Sequence, residues 1–151
     1  MPPVLATGAS PLIGPVVSLC GWTLVMEVWM YAVRIPALNK GTSQNKLKIR
    51  PEMTIQEMNS VIPHNARWKA DNYNHLHEQP TKFYAILVAL MQLQAHDRLT
   101  VGLAWAYVCL RVVHSLVHAI ANPIMARFQV FALSSLTLAA LTARAVQLYM
   151  Q

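Results

Sequence analysis

The sequence predicts an all-α membrane protein, a bundle of four transmembrane helices formed by one domain spanning residues 1–151. Three observations lead there. Of the 151 residues, 55% are hydrophobic and only 12% charged, against about 25% charged in an ordinary soluble domain. The apolar residues gather in runs long enough to cross a bilayer. The formal net charge of +6 is concentrated in one connector instead of along a face, so no nucleic-acid footprint is present. The bilayer is the first partner the composition implies.

Residues 1–10 are small and uncharged. The first span is Pro11 to Val33, where Val16, Leu19, Leu24, Val28 and Met30 surround a single acid, Glu27. It lacks the basic flank of a cleaved signal peptide and is long for one, so it reads as a retained helix. Arg34-Ile35-Pro36 is expected to end it, because proline lacks the N–H and clashes with the preceding turn. Trp22, Trp29 and Tyr31 suit packing or an interfacial belt.

Residues 34–64 read as a polar connector. Lys40, Gly41, Ser43, Asn45, Lys46, Lys48, Arg50 and Pro51 argue for loop. Within it, Thr54 and Glu57 have capping-box spacing for a short helix over Thr54–Val61. The second long helix begins near Asn65 and runs to about Gln94. Its apolar part, Phe83–Leu93, is short for a span of ~20 residues. Its polar half therefore enters the membrane in part or projects from it, and Pro80 is expected to kink it.

Arg67, Asp71, Asn74 and Glu78 fall at steps of four, three and four, one polar stripe on that helix. Such a stripe beside a membrane-depth segment is expected to face a bundle interior or a wet cavity. His96-Asp97-Arg98 makes a tight turn. The third span is Leu99–Ala121, and Asn122-Pro123 marks the next turn. The fourth, Ile124–Met150, is rich in Ala, Ser, Thr and Leu, which favours close helix packing in lipid.

Four spans place both termini on one side. Arg34, Lys40, Lys46, Lys48, Arg50, Arg67 and Lys69 flank the first connector, while the opposite side has little beyond Arg98 and Arg144. The positive-inside rule then puts the connector in the cytoplasm and the termini outside.

The third span carries Arg111, His114, Ser115 and His118 on one face. An arginine at membrane depth costs at least ~2.5 kcal/mol and needs a partner. The available acids are Glu27 and Glu78, and Glu27 suits a structural ion pair better than catalysis. Arg127 opens the fourth helix on the same side as Arg34. Arginines, carboxylates, an asparagine and histidines so gathered suit an anionic ligand that also carries an ammonium group. His114 and His118 stand four apart, but without further ligands they read as hydrogen-bonded interior residues, and no metal is predicted. Cys20 and Cys109 lie in apolar runs and read as buried small hydrophobes.

These residues carry a resemblance to the MAPEG family, membrane-associated proteins in eicosanoid and glutathione metabolism. It covers most of the chain and is strongest in Asn74–Phe83 and from Leu110-Arg111-Val112-Val113-His114-Ser115 through Arg127. The sequence is most similar to the short bacterial-type members, which implies a bacterial-type plasma (inner) membrane. The resemblance implies a homotrimer of four-helix protomers, with glutathione between neighbours near the cytoplasmic face.

Glu78 fits the family glutamate that binds the glutathione amine. The family asparagine three residues earlier corresponds to His75, with Asn74 one before it, and the family arginine corresponds to Asp71, with Arg67 a turn away. Arg111 and His114 match directly. His118 and Phe131 stand where tyrosines are common. Arg127 matches the arginine beside the glutathione sulfur, where a guanidinium lowers the thiol pKa from about 8.5. On this reading Arg127 is catalytic. Arg34, Asn74 and Arg111 take the ligand carboxylates, and His114 and His118 complete the binding set.

The implied function is a glutathione-dependent transferase or peroxidase acting on a lipophilic electrophile that enters from the bilayer. The alternative is a non-catalytic subunit that keeps the fold within a larger complex. The changes at His118 and Phe131 favour the alternative; Glu78, Arg111, His114 and Arg127 favour the enzyme.

Overall fold

The computed structural model describes residues 9–44 and 50–151. The connector residues Asn45, Lys46 and Lys48, assigned above to loop, lie outside the described residues, as do residues 1–8. Among the described residues the regular structure is all helical: α1 (Ile13–Ser43), α2 (Ile55–Val61), α3 (His64–Gln92), α4 (Arg98–Ile120) and α5 (Ile124–Tyr149). Among the described residues, α1, α4 and α5 are long and apolar enough to cross a membrane. The first half of α3 is too polar to meet that measure.

The largest departure from expectation is α1, which does not stop at Pro36 but continues to Ser43. Proline removes one ladder bond, which a long helix tolerates when the ring can point away from its neighbours. Pro36 is exposed. The extension carries Arg34, whose guanidinium donates to the Met58 sulfur of α2 at 3.6 Å. Helix α2 forms where the capping box placed it: Glu57 N–H donates to Thr54 Oγ1 at 3.2 Å, and Thr54 N–H donates to the Glu57 carboxylate at 3.0 Å. Arg50 adds an exposed ion pair to Glu57 at 3.0 Å. The Thr54 backbone bond, helped by Arg50, holds the Glu57 carboxyl below its ordinary pKa.

Contacts between helices fix the topology. Lys69 of α3 meets Trp29 of α1, Leu76 packs with Met26, and Phe83 stacks on Tyr107 of α4 with centroids 4.3 Å apart. Asn72 meets Ser115, and Gln79 meets Arg111. Helix α5 turns back along α4, joining Arg127 to His118 at one end and Arg144 to Asp97 at the other. The helices therefore alternate in direction, and α3 and α5 run parallel. One core joins Leu12, Leu19, Phe83, Leu87, Leu90, Tyr107, Leu138 and Leu141.

Asp97 caps α4 with bonds to the Thr100 N–H at 3.1 Å and the Thr100 hydroxyl at 2.6 Å. Those bonds lower its pKa. The Cys20 and Cys109 thiols are free and on exposed helix faces, not in the core.

Candidate functional site

The apolar rhythm of α3 decides which of its polar groups reach the interior. Leu90, Leu87, Phe83 and Leu76 are buried at heptad-like spacing, and the same row continues to Asn72 and Lys69. Asp71, Asn74 and Glu78 fall outside that row and are exposed on the protomer, with Arg67 partly covered. The stripe, expected to face a bundle interior or a wet cavity, lies on the outer face of the protomer with Glu78 lining a cleft, while Lys69, Asn72, His75 and Gln79 meet α4. Lys69 donates to the carbonyls of Asn65 at 3.0 Å and Ala119 at 3.2 Å, closing the end of α4. Asn72 Nδ2 donates to Ser115 Oγ at 2.7 Å.

On α4, Arg111, His114, Ser115 and His118 are all buried, on one face as their spacing requires. Arg111 has no exposed surface. It is not paired with Glu27 or Glu78. It donates instead to Gln79 Oε1 and to the His75 carbonyl, both at 2.9 Å, and lies over the Phe131 ring at 5.9 Å. Glu78 pairs with His75 at 2.9 Å, and Glu27 lies beside Tyr73. The membrane-depth arginine is thus met by an amide and a carbonyl, which satisfy hydrogen bonds without cancelling charge. Its Nε, with His114 Nδ1 and His118 Nδ1, has no hydrogen-bond partner among the described residues.

His75, His114 and His118 form a triangle of rings with centroids 5.4–6.4 Å apart. No group of three His, Cys, Asp or Glu side chains among the described residues is arranged to hold a metal ion. Arg127 Nη1 donates to His118 Nε2 at 3.1 Å and to Asn122 Oδ1 at 2.7 Å. A cleft of about 220 Å³ opens there, lined by His75, His114, Ile124, Arg127, Phe128 and Phe131. A second, of about 260 Å³, is lined by His75, Glu78, Gln79, Lys82 and Phe131. They share His75 and Phe131. The second shares Gln79 and Lys82 with a groove of about 860 Å³ between α3 and α5, lined on the α5 side by Ser135, Leu138, Ala139 and Val146.

Of the residues singled out by sequence, the structure gathers Arg111, His114, His118 and Arg127, with Glu78 at the adjoining cleft. Asn74 lies on the outer face of α3, and Arg34 is held at α2. Gln79 and Asn72 were missed. Gln79 links three helices: it accepts from Arg111, donates to Ser135 Oγ at 2.6 Å and accepts from the Ser134 hydroxyl at 3.4 Å. Extending the apolar row of α3 backward through Leu76 would have found Asn72, and Gln79 flanks the same row between Leu76 and Phe83.

Comparison with curated proteins and with solved structures gave no match. A family model, the MAPEG family, matches residues 12–147, which includes every residue that lines these clefts. The chain belongs to the MAPEG family and is a membrane protein of that family.

Proposed function

We propose that this protein binds glutathione, activates its thiol and transfers it to, or uses it to reduce, a lipophilic electrophile. The observation that carries this reading is the uncancelled charge of Arg111 and Arg127. Both guanidinium groups are fixed by neutral acceptors beside membrane-depth clefts. A low-dielectric site with two cations and no paired carboxylate favours a ligand that brings negative charge. Arg127 lines the cleft and suits a thiolate; Glu78, at the next cleft, suits an ammonium. Arg111 is too enclosed to touch a ligand in this protomer and acts from behind Gln79 and His75.

The same reading takes all four long helices as spans of one domain and α3 as the polar lining of a homotrimer. Glu78, Asn74 and Asp71 then face a neighbouring protomer, whose Arg34-bearing α1 completes the site. The connector lies in the cytoplasm and both termini outside, in a bacterial-type inner membrane. The electrophile enters along the α3–α5 groove.

Calorimetry with glutathione tests this on the detergent-solubilised protein. Glu78→Gln should weaken binding at least ~30-fold, since removing one partner of a buried charge pair costs roughly 2–5 kcal/mol. Absence of binding to wild-type protein at millimolar glutathione would refute the reading. Phe131 favours a second reading. Its ring lines both clefts and supplies no hydroxyl, as a non-catalytic subunit would allow. Glutathione binding without a thiolate signal would select it.

A further inference from the structure

The turn between α4 and α5 has a backbone feature that the proposed chemistry leaves unexplained. Asn122 has φ of 51°, one of two positive values at non-glycine residues among those described, the other being Gln94. Positive φ is uncommon outside glycine, and asparagine is among the few residues enriched there. The Asn122 N–H donates to the Val117 carbonyl at 2.8 Å, closing α4, and Pro123 then starts the approach to α5. In this conformation the Asn122 side chain reaches the first turn of α5. Its Oδ1 accepts from Arg127 Nη1 at 2.7 Å, and His118 Nε2 accepts from the same nitrogen at 3.1 Å.

Both acceptors are neutral groups, His118 on α4 and Asn122 in the turn that follows it, and both take one amino group of the fork. Nη2 and Nε make no hydrogen bond among the described residues, and Arg127 lines the 220 Å³ cleft. A carboxylate in either place would orient the guanidinium equally well but would cancel its charge. Glycine at 122 would satisfy the backbone but provide no acceptor.

We propose that Asn122 and His118 are positioning residues: they lock Arg127 by one nitrogen so that its charge, still uncancelled, points into the cleft. This rests on the reading of Arg127 as the thiolate partner. It explains why the left-handed position carries asparagine, which is at ease there and offers a neutral acceptor.

The test is an ultraviolet titration of the thiolate of bound glutathione in the full-length detergent-solubilised protein. Asn122→Gly keeps the turn and removes the clamp. Asn122→Asp keeps the clamp and adds a charge. Both should bind glutathione within a few-fold of wild type, while the thiol pKa rises by about one unit, a fall of up to about 10-fold in the thiolate fraction at neutral pH. His118→Gln, which keeps an acceptor, should retain more thiolate than His118→Phe. A merely structural turn would show the opposite pattern, with altered thermal stability and unchanged thiol titration. If wild-type protein forms the thiolate and both Asn122 variants titrate as it does, the positioning role is overturned and the thiol reading stands. If wild-type protein binds no glutathione, both fall together.

Discussion

Arg111 is enclosed by three helices, and the side chain that meets it is an amide. That single choice sets the electrostatics of the site. Gln79→Glu supplies a carboxylate almost isosterically, so it should pair with Arg111 and hold or raise the melting temperature. The same change should weaken glutathione binding at least ~10-fold, because the charge that favours an anion has been cancelled. A thermal-shift assay beside a calorimetric titration checks both arms; tight binding by Gln79→Glu would separate Arg111 from ligand recognition.

Asp97 illustrates the same physics at an exposed helix end. Its folded pKa is lowered, first by the Thr100 hydroxyl and then by the Thr100 N–H. A depressed carboxylate contributes stability that is complete above its unfolded pKa of about 3.9. That contribution is lost as pH falls through the lower folded value. Asp97→Ala should cost about 1 kcal/mol at neutral pH, and the difference from wild type should shrink in acid. Melting curves recorded from neutral to acidic pH would show it.

The helices differ in how far their sequence disclosed them. The capping box of α2, the bounds of α4 and α5 and the shared face of Arg111, His114, Ser115 and His118 were legible, because caps and apolar rhythm act locally. Two features were not. Pro36 signalled an end to α1, yet one missing hydrogen bond is a small loss within a helix of 31 residues. The stripe of Arg67, Asp71, Asn74 and Glu78 is truly helical in period, but period alone does not say which face is inside. The buried row of Leu90, Leu87, Phe83 and Leu76 settles that, and it leads to Asn72 and Lys69. The partners of Arg111 were illegible for a related reason: the sequence offered carboxylates, and the fold brought an amide and a carbonyl.

Lys69, whose sequence role was only a topology signal, joins three helices. Its ammonium closes α4 at the Ala119 carbonyl and lies 4.9 Å from the Trp29 ring of α1. A charged hydrogen bond of this kind contributes roughly 1.5–3 kcal/mol and a cation–π contact roughly 0.5–1. Lys69→Met keeps the stem and should lower the melting temperature by several degrees. An unchanged melting temperature would place the α1–α3–α4 junction elsewhere.

At the scale of the whole molecule, alternating helix directions bring the described ends of α1 and α5 that face away from the connector to one pole, with Asp97, Arg98 and Arg144. Arg34, Lys40, Arg50, Arg67, Lys69 and Arg127 gather toward the other. That asymmetry carries the proposed orientation. A cysteine at Ser43, in a background lacking Cys20 and Cys109, should react only with reagents that reach the cytoplasm. Labelling of intact cells by an impermeant maleimide would reverse the orientation.

On the proposed reading α3 also crosses the membrane, so its exposed Asp71, Asn74 and Glu78 need a polar neighbour, and native mass spectrometry in detergent should give a trimer. Monomer alone would remove the shared site.

On the proposed reading, two guanidinium groups fixed by neutral partners make an anion site for a thiol. It is tested by the ultraviolet difference spectrum of the detergent-solubilised protein on addition of glutathione at neutral pH, for wild type and Arg127→Ala. Wild-type protein should show a thiolate band that is lost in Arg127→Ala while glutathione still binds. A band of equal size in both proteins, or none with wild type, would contradict it.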